Sequence, residues 1–473
     1  MGIFRFSFSA AGAIAAASCA SIDVRPASRD AFSPLMAFGE DETPEDMRGA
    51  WRSRGYGWVF DIDRNGMMQY QIAGDSCFLT PDAAKGATDT LALEYDYYRK
   101  GPTKDQAILQ LLSDDTEIRI DRLDRLPPAC DAPTGSTRQE TFDYFAALIA
   151  ENYAFLERRG IDWPARVDAA RARFSEDMSD RALFDLFAGM LDGFSDSHTK
   201  LIAEIDGERL RAQDGLGDTL GFIRARDMET PWLIGIFTAM SDDVLDPGAR
   251  HVARDRILWG LIDNGRIGYV QVLQMGGFSG TPIGDPEFRE AEFAAFDGIM
   301  DEALAAMAEA DFVILDLSNN RGGYDAISRR LASRFAAAPF DAYATEVPGT
   351  GIARRMRRIS PASGARFTGQ VYLLTSDVTV SGGEIATLAL RQLPNVTHVG
   401  GLTRGSFSTV LSKPLPNGWV VELSNEIVSA PDGVVYEESG IPPRVAIEVF
   451  PADDPIKGHR RAIERIIALT EQR

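Results

Sequence analysis

The chain is poor in the residues that most often announce a chemistry. Its 473 residues include only 3 cysteines and 4 histidines, and 49 lysines and arginines face 70 aspartates and glutamates. With no spaced His/Cys cluster, nothing points to a metal site. The net charge of −21 argues against nucleic-acid binding, which needs a basic face. There is no fixed-period repeat, no low-complexity tract and no phosphate-cradling glycine loop, Gly322-Gly323 being too little for a nucleotide site. No stretch is long and apolar enough for a transmembrane helix. No metal or organic cofactor is implied. What remains is a 45% hydrophobic chain of ordinary glycine and proline content, long enough for two or three domains.

Residues 1–20 read as an export signal, with Arg5 near the start, an Ala/Phe/Ile-rich run and then small residues. Ala16-Ala17-Ser18-Cys19 resembles a bacterial lipoprotein box in which Cys19 would carry the lipid, although Ala16 stands where that pattern has leucine. Ser18-Cys19-Ala20 equally suits ordinary signal peptidase. The expectation is an exported protein, either periplasmic or held to the envelope membrane by a lipid anchor. In such an oxidising compartment Cys77 and Cys130 can pair, which leaves Cys19 as the odd cysteine. The alternative is two ordinary buried thiols.

Residues 21–50 form a linker. Residues 51–132 then read as a small, mostly β domain: Gly55–Phe60 and Met67–Ile72 flank Asp63-Arg64-Asn65-Gly66, and Asn-Gly between two strand-like runs is a strong hairpin signal. Residues 137–200 turn helical. Phe142, Phe145, Ile149, Tyr153 and Leu156 recur at three- and four-residue spacing, Asp162-Trp163-Pro164 restarts a helix, and Ser179 caps a third. Residues 201–473 form the third and largest segment.

Within that last segment, Phe312–Leu317 and Val371–Leu374 are short β-branched runs of the kind buried on both faces of a sheet. Each breaks into a polar or glycine-rich turn and opens a helix-period pattern, Tyr324–Phe335 and Gly382–Leu393. Two such units in succession predict right-handed crossovers on a largely parallel α/β sheet, with the chemistry at the strand-end turns. Ser381 begins the second helix, close to unpaired N–H groups and the positive end of the helix dipole. Gly382 offers one N–H to a substrate carbonyl, and Gly322 or Gly323 on the neighbouring turn offers a second, which together make an oxyanion hole. The competing reading is a capping box, with Ser381 at the cap and Glu384 reaching back.

Asp316-Leu317-Ser318-Asn319 to Gly323, the turn from Ser381 to Glu384, Val399-Gly400 to Gly405, and Glu437-x-x-Gly440-Ile441-Pro442-Pro443 follow one another in an order and spacing that resembles the tail-specific (C-terminal processing) serine proteases. The resemblance covers roughly residues 137 to 473. It implies a crotonase/ClpP-like α/β core of repeated ββα units and hydrolysis of peptide bonds by Ser381, with peptides or proteins as substrates. Asp196-Ser197-His198-Thr199 resembles the segment that carries the general base in the tricorn-type branch, and a serine hydroxyl needs such a base. The other branch uses a lysine, but the aligned position here is Ser406, and Lys413 falls outside the motif. Glu437 matches the family glutamate that orients the base, with Glu438 as its competitor and Ser197 as a potential relay.

The chain also departs from the family. Ser318 stands in place of an arginine, Gly382-Gly383 replaces the usual small pair, and the interval between Leu201 and Leu258 shows no complete PDZ pattern. Trp232–Phe237 and Arg266–Val272 read instead as strands of the catalytic sheet, Phe288–Ala310 as a long helix, and Asp454–Glu471 as an amphipathic tail helix packed on the body. These departures keep two rivals open: a non-catalytic carrier of an apolar ligand or an interaction protein on the same scaffold, and an acyl-processing enzyme of the wider crotonase-like superfold.

Overall fold

The computed structural model describes residues 36–37, 43–80, 95–112 and 116–471, apart from Asn65, Asp96, Leu111, Pro133, Leu216, Gly284 and Pro286. The expected export signal, Cys19 and much of the linker lie outside these residues.

Among the described residues the N-terminal part is an antiparallel sheet of eight strands. Its spatial order is Met36–Ala37, Tyr97–Lys100, Gln106–Gln110, Ile118–Arg122, Gly49–Ser53, Trp58–Asp63, Gly66–Ala73 and Ser76–Leu79. The hairpin expected at Asp63–Gly66 is present, with these two residues paired across it. Cys77 and Cys130 are joined by a disulfide, S–S 1.99 Å, in a small apolar cluster with Val59 and Ile72.

Three helices follow, Arg138–Asn152, Trp163–Arg171 and Asp180–Met190, capped by Thr137, Asp162 and Ser179. Their buried rings do not form a core of their own. Phe142, Phe145 and Phe187 share one cluster with Trp51 and Phe60 of the N-terminal sheet and with Leu201, Leu411, Val421 and Leu423. The last four belong to a second antiparallel sheet, ordered Glu208–Ala212, Lys200–Ile205, Val420–Ser424 and Val410–Pro414. One continuous core therefore runs from the N-terminal sheet, through the helices, into strands that flank the site.

The central sheet has seven strands: Arg250–Val252, Ile257–Ile262, Ile267–Val272, Phe312–Asp316, Gln370–Thr375, Val396–Gly400 and Val445–Ala446. The last five run parallel. Strand alternation explains why the apolar runs are unbroken. Val313 and Leu315 face a core with helices Phe288–Ala306, Asp325–Ser333 and Gly382–Leu390, while Phe312 and Ile314 face helices Glu229–Asp243 and Pro455–Glu471. This is the layered α/β core expected from the sequence.

One expected strand is absent. Trp232–Phe237 lies inside the helix Glu229–Asp243, and the buried Trp232, Ile236 and Met240 recur every fourth residue along one helical face. Ile234 is 59% exposed on the other side, so the uninterrupted apolar run concealed a helical period. Among the described residues no helix is long and apolar enough to cross a membrane.

Candidate active site

The turns after strands Phe312–Asp316 and Gln370–Thr375 are stitched together. Ser376 Oγ donates to the Ser318 carbonyl at 2.5 Å and Thr379 Oγ1 to the Leu317 carbonyl at 2.7 Å. The Val380 N–H reaches the Asn320 carbonyl at 3.2 Å. These bonds deliver Ser381 to the N-terminus of helix Gly382–Leu390 with φ 56° and ψ −122°. A non-glycine residue held there stores about 1–3 kcal/mol of strain, which surrounding structure must offset.

The capping-box arrangement of Ser381 and Glu384 is present. Glu384 accepts from the Ser381 N–H at 3.4 Å, and the Glu384 N–H bonds the Ser381 carbonyl at 2.8 Å.

Both neighbouring glycine pairs are required by space. A Cβ on Gly322 would stand 2.7 Å from Ser381 Cβ, one on Gly323 would stand 2.4 Å from the Met275 carbonyl oxygen, and one on Gly383 would meet Asn320 Oδ1 at 2.5 Å. The structure separates the two oxyanion candidates on the first turn. The Gly322 N–H is already taken by Asn320 Oδ1 at 2.9 Å. Among the described residues, the N–H groups of Gly323 and Gly382 have no hydrogen-bond partner. These two glycines are adjacent, a Cβ on Gly382 falling 3.1 Å from Gly323 N.

The segment that carries His198 is tied to the serine turn. Ser406 bridges the two segments, accepting the Ser381 N–H on its carbonyl at 3.0 Å and the Ser197 N–H on its hydroxyl at 2.7 Å. The residue at the aligned lysine position is thus the link between the histidine and serine segments. Lys413 is occupied elsewhere, its buried ammonium donating to the carbonyls of Tyr56 and Gly57 at 2.8 and 2.7 Å. The other histidines are also engaged: His251 with Ser241, His398 with Thr375 and His459 with Asp316.

The His198 Nδ1 is buried without a hydrogen-bond partner. Burial drives its pKa down to about 4; the negative charge of Asp196 opposes this, while the positive charges of Lys200 and Arg404 add to it. Glu437 is fully buried, accepts the Phe407 N–H on Oε2 at 2.9 Å, and leaves Oε1 buried without a partner. Burial raises its pKa well above the carboxylate range, and the nearby charges of Asp196 and Glu384 push the same way. Glu438 points outward, half exposed, and pairs with Arg159 at 3.3 Å. Between the two glutamates, burial and the orphaned oxygen single out Glu437.

The relay expected of Ser197 does not fit. Its hydroxyl donates to the Gly215 carbonyl at 2.5 Å and accepts from Arg404 Nε at 3.0 Å. A hydroxyl has one proton to give, and here it is used away from the histidine ring and Glu437.

Several supporting roles escaped the sequence. Glu384, fully buried and accepting the N–H groups of Gly405 and Ser406 at 2.6 and 2.7 Å, anchors the loop that carries Ser406. Burial raises its pKa to about 7. Arg404 fastens the histidine loop through the Ser195 carbonyl at 2.9 Å. Asp196 accepts the N–H groups of His198 and Thr199 at 3.0 and 2.6 Å. An Asp two residues before the motif histidine is a local turn-forming signal that could have flagged it. Beneath the oxyanion turn, Asp316 is tied to His459 of the tail helix at 2.7 Å and to the Ser318 N–H at 2.8 Å. Among the described residues no group of three or more His, Cys, Asp or Glu is arranged to hold a metal ion.

Known proteins resemble the chain in the same region. Residues 266–447 match the model of Peptidase family S41, the stretch that holds the ordered motifs from Asp316 to Pro443. Among solved structures, a candidate peptidase from Parabacteroides merdae aligns with TM-score 0.57 and 24% identity over 71% of this chain and 97% of that one. Mature CPAF in complex with lactacystin aligns with TM-score 0.51 and 11% identity over 71% of this chain and 98% of that one. These likenesses establish the shared fold.

Proposed function

We propose that this chain, a serine-type peptidase by its family S41 domain, cleaves peptide bonds through Ser381, His198 and Glu437. Ser381 attacks the scissile carbonyl. His198 takes its proton and returns it to the leaving amine. The Gly323 and Gly382 N–H groups receive the oxyanion, helped by the helix N-terminus. The observation that carries this reading is the pairing of a strained serine at a helix N-terminus with two adjacent unengaged N–H donors.

The base is suited to the task because burial keeps it unprotonated at neutral pH. In the working site the two orphaned buried atoms serve one another, with Nδ1–H of His198 donating to Oε1 of Glu437. That bond fixes the tautomer that leaves Nε2 free to accept from Ser381. The oxygen accepts whether or not the carboxyl carries a proton, so the raised pKa of Glu437 is compatible with the role.

The substrate is a peptide or protein, and the setting is the bacterial cell envelope. The Cys77–Cys130 disulfide supports an oxidising compartment, and lipid attachment at Cys19 would tie the protein to a membrane. The test is incubation of the purified protein and its Ser381→Ala variant with a defined peptide library, read by mass spectrometry. New termini produced only by the unaltered protein support the reading. Binding of apolar ligands without any cleavage would overturn it in favour of a carrier.

A further inference from the structure

Asp196 is fully buried, and its hydrogen bond to His198 goes to the main-chain N–H. Its Oδ1 accepts from the N–H groups of His198 (3.0 Å) and Thr199 (2.6 Å) and from Ser424 Oγ (3.0 Å). Its Oδ2 accepts from Tyr153 Oη (2.8 Å) and Thr199 Oγ1 (2.9 Å), with Arg159 Nη2 at 3.9 Å. These donors come from the end of helix Arg138–Asn152, from strand Val420–Ser424 and from the histidine loop itself. One carboxylate therefore locks the helix end and the strand onto the segment that carries the base.

We propose that Asp196 is the positioning residue of this site: it fixes the main chain of His198 and supplies the negative charge that favours the imidazolium formed when Ser381 loses its proton. The inference rests on the role of His198 proposed above. Glu437 would ordinarily be given the charge-supplying part, but a buried carboxyl facing two other acids, Asp196 and Glu384, is pressed to hold a proton, with Arg159 the opposing cation. Asp196 accepts five hydrogen bonds, where Glu437 accepts one and leaves Oε1 without a partner. The charges that face His198 are Asp196, Lys200 and Arg404, and Asp196 alone among these three favours the protonated ring. In a dry site such a fixed charge acts strongly on the transition state and needs no reorganisation.

The test uses a fluorophosphonate probe on the full-length protein and separates the limiting labelling rate from the apparent probe affinity. A second readout is the infrared band of a protonated carboxyl, assigned to Glu437 by its loss in Glu437→Gln. Asp196→Asn keeps the shape but removes the charge. It is expected to lower the limiting rate about 100-fold with affinity within about 3-fold, and to move loss of the Glu437 band to lower pH. Should Asp196→Asn fail to fold, Ser424→Ala and Tyr153→Phe each remove one donor while leaving the charge. A drop beyond about 3-fold in limiting rate at unchanged affinity in either variant supports the inference, and unaltered rates in both overturn it. A folded Asp196→Asn with an unaltered limiting rate or an unmoved Glu437 band also overturns it. If His198→Ala labels as fast as the unaltered protein, the proposed function itself fails; if His198→Ala is silent while Asp196→Asn labels normally, only this inference fails.

Discussion

Ser406 holds Ser197 by a single hydrogen bond, from the Ser197 N–H to the Ser406 hydroxyl at 2.7 Å. Because the carbonyl of Ser406 also takes the N–H of Ser381, one buried residue ties the nucleophile and base segments together. Ser406→Ala removes the hydroxyl and leaves a peptide N–H unpaired. The expected result is a loss of about 1–3 kcal/mol in urea unfolding and a fall in fluorophosphonate labelling of at least roughly tenfold. A variant with unchanged stability and labelling would show that this tie does not matter.

Gly323→Ala tests the oxyanion assignment. Its backbone sits at φ 132°, and a Cβ would stand 2.4 Å from the Met275 carbonyl oxygen, so the turn must shift. Strain of about 1–3 kcal/mol is expected, with labelling reduced by about 10²–10³-fold as a donor leaves its place. The check is the labelling rate at a temperature where circular dichroism shows the variant folded.

Two buried groups contribute opposed slopes to the pH dependence of stability. Burial holds His198 at about 4, below its ordinary 6.5, so the unfolded chain takes up a proton first. Its contribution is complete above about pH 6.5 and is lost as pH falls towards about 4. Glu384 is raised to about 7 from 4.5, so its contribution is complete below about pH 4.5 and is lost as pH rises through about 7. Each is worth about 3 kcal/mol in full, and their slopes oppose one another between about pH 4.5 and 6.5. His198→Gln should therefore make unfolding free energy fall more steeply with rising pH across that window, and Glu384→Gln should make it rise. Urea titrations at several pH values decide, and identical profiles in all three proteins would contradict the assignment.

Cys77 and Cys130 lie 53 residues apart and close a loop across the N-terminal sheet. Replacing both by serine should cost about 2–4 kcal/mol. Thermal unfolding with and without reductant measures this, and the replaced protein should be insensitive to reductant.

Much of the core was legible because its signals are local. The runs at Phe312–Leu317 and Val371–Leu374, the helix after Ser381 and the tail helix each announce themselves through period or composition. Trp232–Phe237 misled because an apolar run of six residues satisfies strand and helix alike, and only the exposure of Ile234 reveals the face. At the site, Ser381, His198 and Glu437 were reachable through motif order, and the structure brings their segments together through Ser406 and Phe407. Its remaining supports were hidden for a common reason. Ser424 to Asp196, His459 to Asp316 and Lys413 to Tyr56 are hydrogen bonds across 143 to 357 residues, and nothing in local spacing encodes them. The same holds for the core shared by the N-terminal sheet and the strands beside the site, which sequence blocks present as separate units.

The central claim is that Ser381 is an activated nucleophile served by His198. Its most direct test is fluorophosphonate labelling of the purified protein beside Ser381→Ala and His198→Ala, with the modified peptide located by mass spectrometry. The account predicts near-stoichiometric labelling at Ser381, abolished by the first substitution and reduced to a trace by the second. No labelling of a folded sample, or labelling at another serine that survives Ser381→Ala, would contradict it.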